Sequence, residues 1–118
     1  MTKDYYGRFV DLCKLTCVTG EEYLDKQLLK RHNKAMTQLE KIMREMYSEA
    51  NRCEDIALDL LANEDIKVEI VAAAYCLKAS IHTKIARDCL LKIAKTTSDG
   101  MTRVRAYSNL EYCRPYNE

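Results

Sequence analysis

The chain has 118 residues, of which 47% are hydrophobic and 31% are charged, and its formal net charge is +1. This composition is typical of one globular domain, and it excludes a disordered, collagen-like or disulfide-stapled chain. Because the net charge is close to zero, no overall electrostatic field selects a nucleic acid or a membrane.

Helix-forming residues dominate the whole chain. It has only three glycines, its single proline is at position 115, and no stretch alternates β-branched and polar residues. The pattern therefore predicts an all-α fold. A first helix is expected over residues 4–18, with Thr19 and Gly20 ending it. A long second helix is expected over residues 22–50, because its apolar residues recur every three or four positions: Met36, Leu39, Met43, Met46 and Ala50.

The second half of the chain contains an internal repeat. Residues 55–77 fall on residues 88–110 without a gap when the sequence is shifted by 33 positions. Each copy is predicted to form two helices joined by a polar turn, with Asp65 and either Ser98 or Asp99 as N-caps. We expect two helical hairpins, residues 52–79 and 82–113, packed on the two N-terminal helices of residues 1–50. The predicted architecture is a single domain over residues 1–118, a short α-solenoid of about six helices.

The repeat carries a resemblance to known proteins. Residues 60–73 resemble a HEAT repeat, in which two leucines, an acidic turn, a valine, a basic residue and a pair of alanines recur. More narrowly, residues 33–112 resemble a small bacterial domain family of unknown function, with the helix of residues 86–94 included. Families of this kind occur beside polymorphic toxins, including those of contact-dependent growth inhibition, where they serve as immunity proteins. The resemblance thus implies a protein that binds and neutralises a toxin.

The residues that usually carry chemistry are sparse. No apolar stretch at the start resembles a signal peptide, and the longest apolar run, residues 70–77, has eight residues against the about 20 of a membrane span. We therefore expect a cytoplasmic protein whose six cysteines stay free. Cys13 and Cys17 could supply two metal ligands, but no second pair completes a site. His32 is expected to be solvated and His82 to cap or pack between the repeats, so we predict no enzyme, metal or cofactor.

Charge is unevenly distributed along the chain. Residues 54–80 carry a local charge of −4, residues 81–118 carry +3, and residues 26–34 are also basic. The acidic segment can be a solvated helix face or a docking surface for a basic protein. Tyr107 and Tyr112 lie near several arginines, a combination enriched in protein interfaces. The residues that we predict to bind a partner are Asp55, Asp59, Glu64, Asp65, Glu69, Tyr107 and Tyr112.

Three functions of different classes remain open at the level of sequence. The first is an immunity protein that occludes the active site of a cognate toxin, a basic nuclease, whose substrate the carboxylates would imitate. The second is a helical-repeat scaffold for protein interactions. The third is a nucleic-acid-binding module that uses the basic residues of the second repeat, Lys84, Arg87, Lys92, Lys95, Arg103 and Arg105. The sequence does not indicate an oligomeric state.

Overall fold

The computed structural model describes residues 4–117 of the chain. These residues form seven α-helices joined by turns and loops, and they contain no strand. The all-α prediction is confirmed, although the number of about six helices is one too few. The helices are α1 (Tyr5–Cys13), α2 (Gly20–Leu24), α3 (Lys26–Ser48), α4 (Glu54–Leu61), α5 (Ile66–Ala79), α6 (Thr83–Thr96) and α7 (Gly100–Tyr112).

The N-terminal helices differ from the prediction at two points. The first helix ends at Cys13 instead of residue 18, and Thr19 begins the short helix α2 instead of ending α1. The Thr19 hydroxyl accepts a hydrogen bond from the Glu22 N–H, and the Glu22 carboxylate accepts one from the Thr19 N–H. This capping box outweighs the stop signal of Gly20. The predicted long helix is also interrupted, because Asp25 caps α3 through the N–H groups of residues 27 and 28.

The helices of the second half lie close to their predicted positions. Asp65 caps α5, as predicted, and of the two candidates Ser98 and Asp99 it is Asp99 that caps α7; the N–H groups of Lys67 and Thr102 donate to these caps. Four pairs related by the shift of 33 residues are buried in both copies: Ala57 and Leu90, Leu60 and Ile93, Leu61 and Ala94, and Ala73 and Ala106.

The two hairpins differ in how deeply their second helices are covered. Val71 on α5 is buried, whereas its counterpart Val104 on α7 is 57% exposed. The reason is the packing around each helix. Helix α5 contacts α1, α4 and α6, while α7 packs mainly on α6 and touches α2 only at one end. The two hairpins therefore have the same order of helices, but the second helix is buried more deeply in the first hairpin than in the second.

The core runs between α1, α3 and the two hairpins. Phe9 of α1 and Leu39, Met43 and Met46 of α3 are almost completely buried. Three residues of the predicted α3 stripe thus face the core, while Met36 is half-buried and Ala50, beyond the end of the helix, is exposed. Between residues 4 and 117, no helix combines the length and apolar composition that crossing a membrane requires.

A left-handed turn connects α3 to α4. Asn51, Arg52 and Cys53 all have φ near +55°, a conformation that costs a non-glycine residue about 1–2 kcal/mol. Arg52 stabilises the turn. Its carbonyl oxygen accepts a hydrogen bond from the Tyr75 hydroxyl at 2.7 Å, and its guanidinium donates to the Ala79 carbonyl oxygen at 2.7 Å. The turn is therefore maintained by contacts with α5 and not by its own sequence.

Replacing Ser80 by glycine should raise the free energy of unfolding by about 1 kcal/mol. Exposed Ser80 follows α5 with φ 57°, and the next N–H, that of Ile81, donates back to the Cys76 carbonyl oxygen at 3.0 Å. Glycine is the preferred residue at this position of a helix end because it has no Cβ. Urea unfolding would measure the gain, and Ser80→Ala is the control, since alanine keeps the Cβ. Equal changes in the two variants would contradict the explanation.

Candidate protein-binding surface

Neither histidine is arranged for catalysis. The His32 Nδ1 accepts a hydrogen bond from the Cys17 N–H at 2.8 Å. The imidazole packs edge-on against the Tyr23 ring, with the two ring centroids 5.3 Å apart. The expectation of a solvated His32 was wrong, because the ring is half-buried beside the loop of residues 14–19. His82 packs between the repeats, as expected, with Nε2 at 3.0 Å from the Glu54 carbonyl oxygen. No group of three or more potential ligands that could hold a metal ion occurs within residues 4–117.

Polar side chains from α2, α3 and α7 hold residues 14–19, which we call the α1–α2 loop. Glu22 accepts hydrogen bonds from the N–H groups of Val18 and Thr19, and it forms an ion pair with Lys67 of α5. Helix α7 also bonds to the loop, and its N-cap bonds to the start of α2. Thr102 Oγ1 donates to the Val18 carbonyl at 2.9 Å, Arg105 Nη1 donates to the Cys17 carbonyl at 2.7 Å, and the Gly20 N–H donates to Asp99 Oδ1 at 3.2 Å.

The free energy of unfolding should fall as the pH drops below about 6.5, because His32 must be neutral to accept the Cys17 hydrogen bond. Burial lowers the pKa of His32 below its usual 6.5, the Arg105 guanidinium lowers it further, and Glu22 opposes them. The unfolded chain therefore takes up the proton first, so this contribution is complete above pH 6.5 and is lost below it.

Urea unfolding between neutral pH and about pH 5 would test this dependence. His32→Gln keeps an acceptor for the Cys17 N–H without titrating, so its stability should change less with pH over this interval. The matched control is Asn33→Gln, which changes an exposed neutral side chain next to His32 and should keep the wild-type dependence. A wild-type slope in His32→Gln would contradict the assignment.

The exposed side of α4 combines carboxylates with an apolar residue. Asp55 and Asp59 lie one helical turn apart and both are exposed. Leu58 lies on the same side and is 41% exposed. Together with Glu64 in the following turn, these residues form what we call the α4 surface. None of its three carboxylates makes an ion pair or a hydrogen bond with another described residue.

Leu58 was not among the sequence candidates, but a sequence signal for it exists. The residue lies three positions after Asp55 and one before Asp59. Helical geometry therefore places it about 60° around the helix from Asp55 and about 100° from Asp59, beside the two carboxylates. Its partly exposed leucine side chain supplies apolar area next to Asp55. Apolar area bordered by charged side chains is typical of protein interfaces.

The other two acidic candidates do not join this surface. Asp65 uses its carboxylate to cap α5. Glu69 is half-buried on α5 beside α6, where burial raises the pKa of its carboxyl while the neighbouring Lys92 lowers it. Neither carboxylate therefore belongs to the exposed α4 surface.

The two tyrosine candidates lie on α7, away from α4 in the packing order α4, α5, α6, α7. Tyr107 is 41% exposed and Tyr112 is 73% exposed. Five positions separate them, so they point about 140° apart around the helix. Of the basic residues of the alternative nucleic-acid set, Arg103 and Arg105 donate to backbone carbonyl oxygens of residues 94 and 97 and of residue 17.

Comparison with protein-family models, with curated proteins and with solved structures finds no match to this chain.

Proposed function

We propose that this chain is an immunity protein, which binds a cognate toxin domain and neutralises it by occluding the active site. The observation that carries the proposal is the α4 surface, where Asp55, Asp59 and Glu64 are exposed without a partner beside the exposed Leu58. The toxin class that fits best is a nuclease, because an active site that binds phosphate is basic and carboxylates can occupy it in place of the substrate.

The surroundings of the other polar residues favour a binding role over catalysis. His32 and His82 both contact backbone groups, and the polar network around the α1–α2 loop is occupied in holding that loop. The carboxylates of the α4 surface have no such internal task. Their long-range attraction would speed association with a basic partner, while burial of Leu58 would slow dissociation.

The resemblance to immunity proteins supports the same proposal and adds an architecture. We interpret the hairpins α4–α5 and α6–α7 as HEAT-like repeats of a short α-solenoid, acting in the cytoplasm, where such proteins meet their toxins. The shift of 33 residues and the matching buried positions support this interpretation. A scaffold that binds another class of protein is the alternative, and it would use the same helical surfaces.

Coexpression with a toxin domain tests the proposal. The protein would be coexpressed with the C-terminal domain encoded by the gene immediately upstream of its own. We expect a stoichiometric complex and survival of cells that the toxin domain alone would kill. Failure of both complex formation and protection would reject this pair and leave the scaffold as the better explanation.

Charge reversal locates the contact. Asp59→Lys, on the exposed side of α4 and beyond its first turn, should weaken the complex by about 100-fold, the size expected when a buried interfacial charge pair is replaced by repulsion. Glu111→Lys is the matched control, since Glu111 is an exposed carboxylate on α7. Equal effects of the two variants would place the contact elsewhere.

A further inference from the structure

The outward side of α3 carries a row of mostly cationic residues. Positions 26, 30, 34, 37, 41, 44 and 48 lie within about 80° of the helix circumference, and all seven are exposed. Five of them are cations and two are hydroxyl residues, with no carboxylate and no apolar residue among them. The cations, which we call the α3 surface, are Lys26, Lys30, Lys34, Lys41 and Arg44.

The carboxylates of α3 lie beside this row and leave most of its charge uncompensated. Glu40 contacts Lys78 at 3.1 Å and Arg44 at 3.6 Å, and Glu45 contacts Arg8 of α1 at 3.6 Å. The four lysines of the row make no ion pair with another described residue. Their positive charge is therefore available to a partner, although the whole chain is almost neutral.

We propose that the α3 surface binds the phosphate backbone of a nucleic-acid duplex. From Lys26 to Arg44 the row is about 27 Å long, which matches about eight base pairs of a straight duplex at about 3.4 Å each. Lysine and hydroxyl side chains are common contacts of phosphate oxygens. Because the row has no aromatic side chain to stack on a base, binding should depend on the charge and shape of the duplex and not on its base sequence.

The composition of the row distinguishes this partner from two others. A membrane-surface helix needs apolar side chains that enter the lipid, and the row has none. An acidic protein would normally meet an apolar or aromatic centre surrounded by charge, and this row has no such centre. A rigid, evenly charged rod is the partner that a straight row of five cations fits.

A depression lies beside the row. It has a volume of about 410 Å³ and is lined by Arg8, Asp11, Leu12, Gln38, Lys41 and Ile42, so it lies between α1 and α3. Arg8 is already paired with Glu45, whereas the Gln38 amide can approach the same phosphate chain as Lys41. Asp11 would repel that chain, so removing its charge should tighten binding.

Salt-dependent binding to a fluorescent duplex of arbitrary sequence, about 24 base pairs long, tests the proposal. Five phosphate contacts predict a slope of about −4.5 for log K against log salt concentration, hence about a 500-fold loss of affinity between 50 and 200 mM salt. The triple variant Lys30→Gln, Lys34→Gln, Lys41→Gln should reduce the slope to about −1.8. Asp11→Asn should bind more tightly than the wild type.

The matched control is the triple variant Lys84→Gln, Lys92→Gln, Lys95→Gln. It removes the same charge from α6 and should keep the wild-type slope. A wild-type slope near zero, or equal losses in the two triple variants, would overturn the proposal. Tighter binding to phosphatidylserine vesicles or to polyglutamate than to the duplex would overturn it as well. The test does not involve the α4 surface, so its result is independent of the toxin-binding experiment.

Discussion

Leu60→Ala should lower the free energy of unfolding by about 3 kcal/mol. Leu60 is completely buried on α4, in the core that α4 shares with α1 and α5. Truncation removes three carbon atoms from a close-packed region, so the transfer free energy and the cost of the remaining cavity add together. Urea unfolding followed by circular dichroism measures the loss.

Leu77 and Leu110 provide the matched comparison, because the shift of 33 residues places them at the same position of the two hairpins, and Leu77 is buried whereas Leu110 is only half-buried. Leu110→Ala should cost less than about 2 kcal/mol, since solvent already reaches part of its side chain. Two equal repeats would lose equal amounts at these two positions. A loss in Leu110→Ala as large as that in Leu77→Ala would therefore contradict the unequal packing of the two hairpins.

The second large effect is expected at Glu22, where Glu22→Ala should cost about 3 kcal/mol. Two backbone N–H groups of the α1–α2 loop and the Lys67 ammonium bond to this carboxylate. Its removal leaves a charge that is only 21% exposed without a partner. Glu21→Ala is the control, because Glu21 is exposed and lies next to Glu22 on the same short helix. This variant should cost less than about 0.5 kcal/mol.

The same carboxylate makes the wild type sensitive to acid. Burial alone would raise the pKa of Glu22, but the Lys67 and backbone hydrogen bonds outweigh it and lower the pKa from 4.5 to about 2. The unfolded chain therefore binds the proton first, so the stabilisation is complete above pH 4.5 and is lost as the pH falls toward 2. Unfolding measured over this interval should show a smaller decline in Glu22→Ala, and an unchanged decline would contradict the assignment.

The parts of the fold that local sequence determines could be predicted. The absence of alternating residues indicates helices, and the shift of 33 residues places the two hairpins within a few positions of their observed bounds. Asp65 could be predicted as a cap, and the second cap could be narrowed to Ser98 or Asp99, because a cap bonds to N–H groups two or three residues away. Of the candidate site, Asp55 and Asp59 could be placed together because they are one helical turn apart.

The remaining features depend on contacts that are distant in sequence. His32 accepts a hydrogen bond from a loop 15 residues earlier, and Arg105 reaches a carbonyl 88 residues earlier. The left-handed turn at Asn51–Cys53 has no glycine to signal it, because the bonds of Arg52 to α5 hold it in place. Periodicity along one helix carries no information about such partners.

The bonds between the α1–α2 loop and α7 join the beginning of the chain to its end. Thr102 and Arg105 contact residues that precede them by 84 and 88 positions. If α7 detaches, the loop loses these bonds at the same time, and if the loop opens, α7 loses part of its support. The loop and the last helix therefore form one cooperative opening unit, although almost the whole sequence separates them. Local opening of the loop and local opening of α7 are therefore coupled, because each loses part of its support when the other opens.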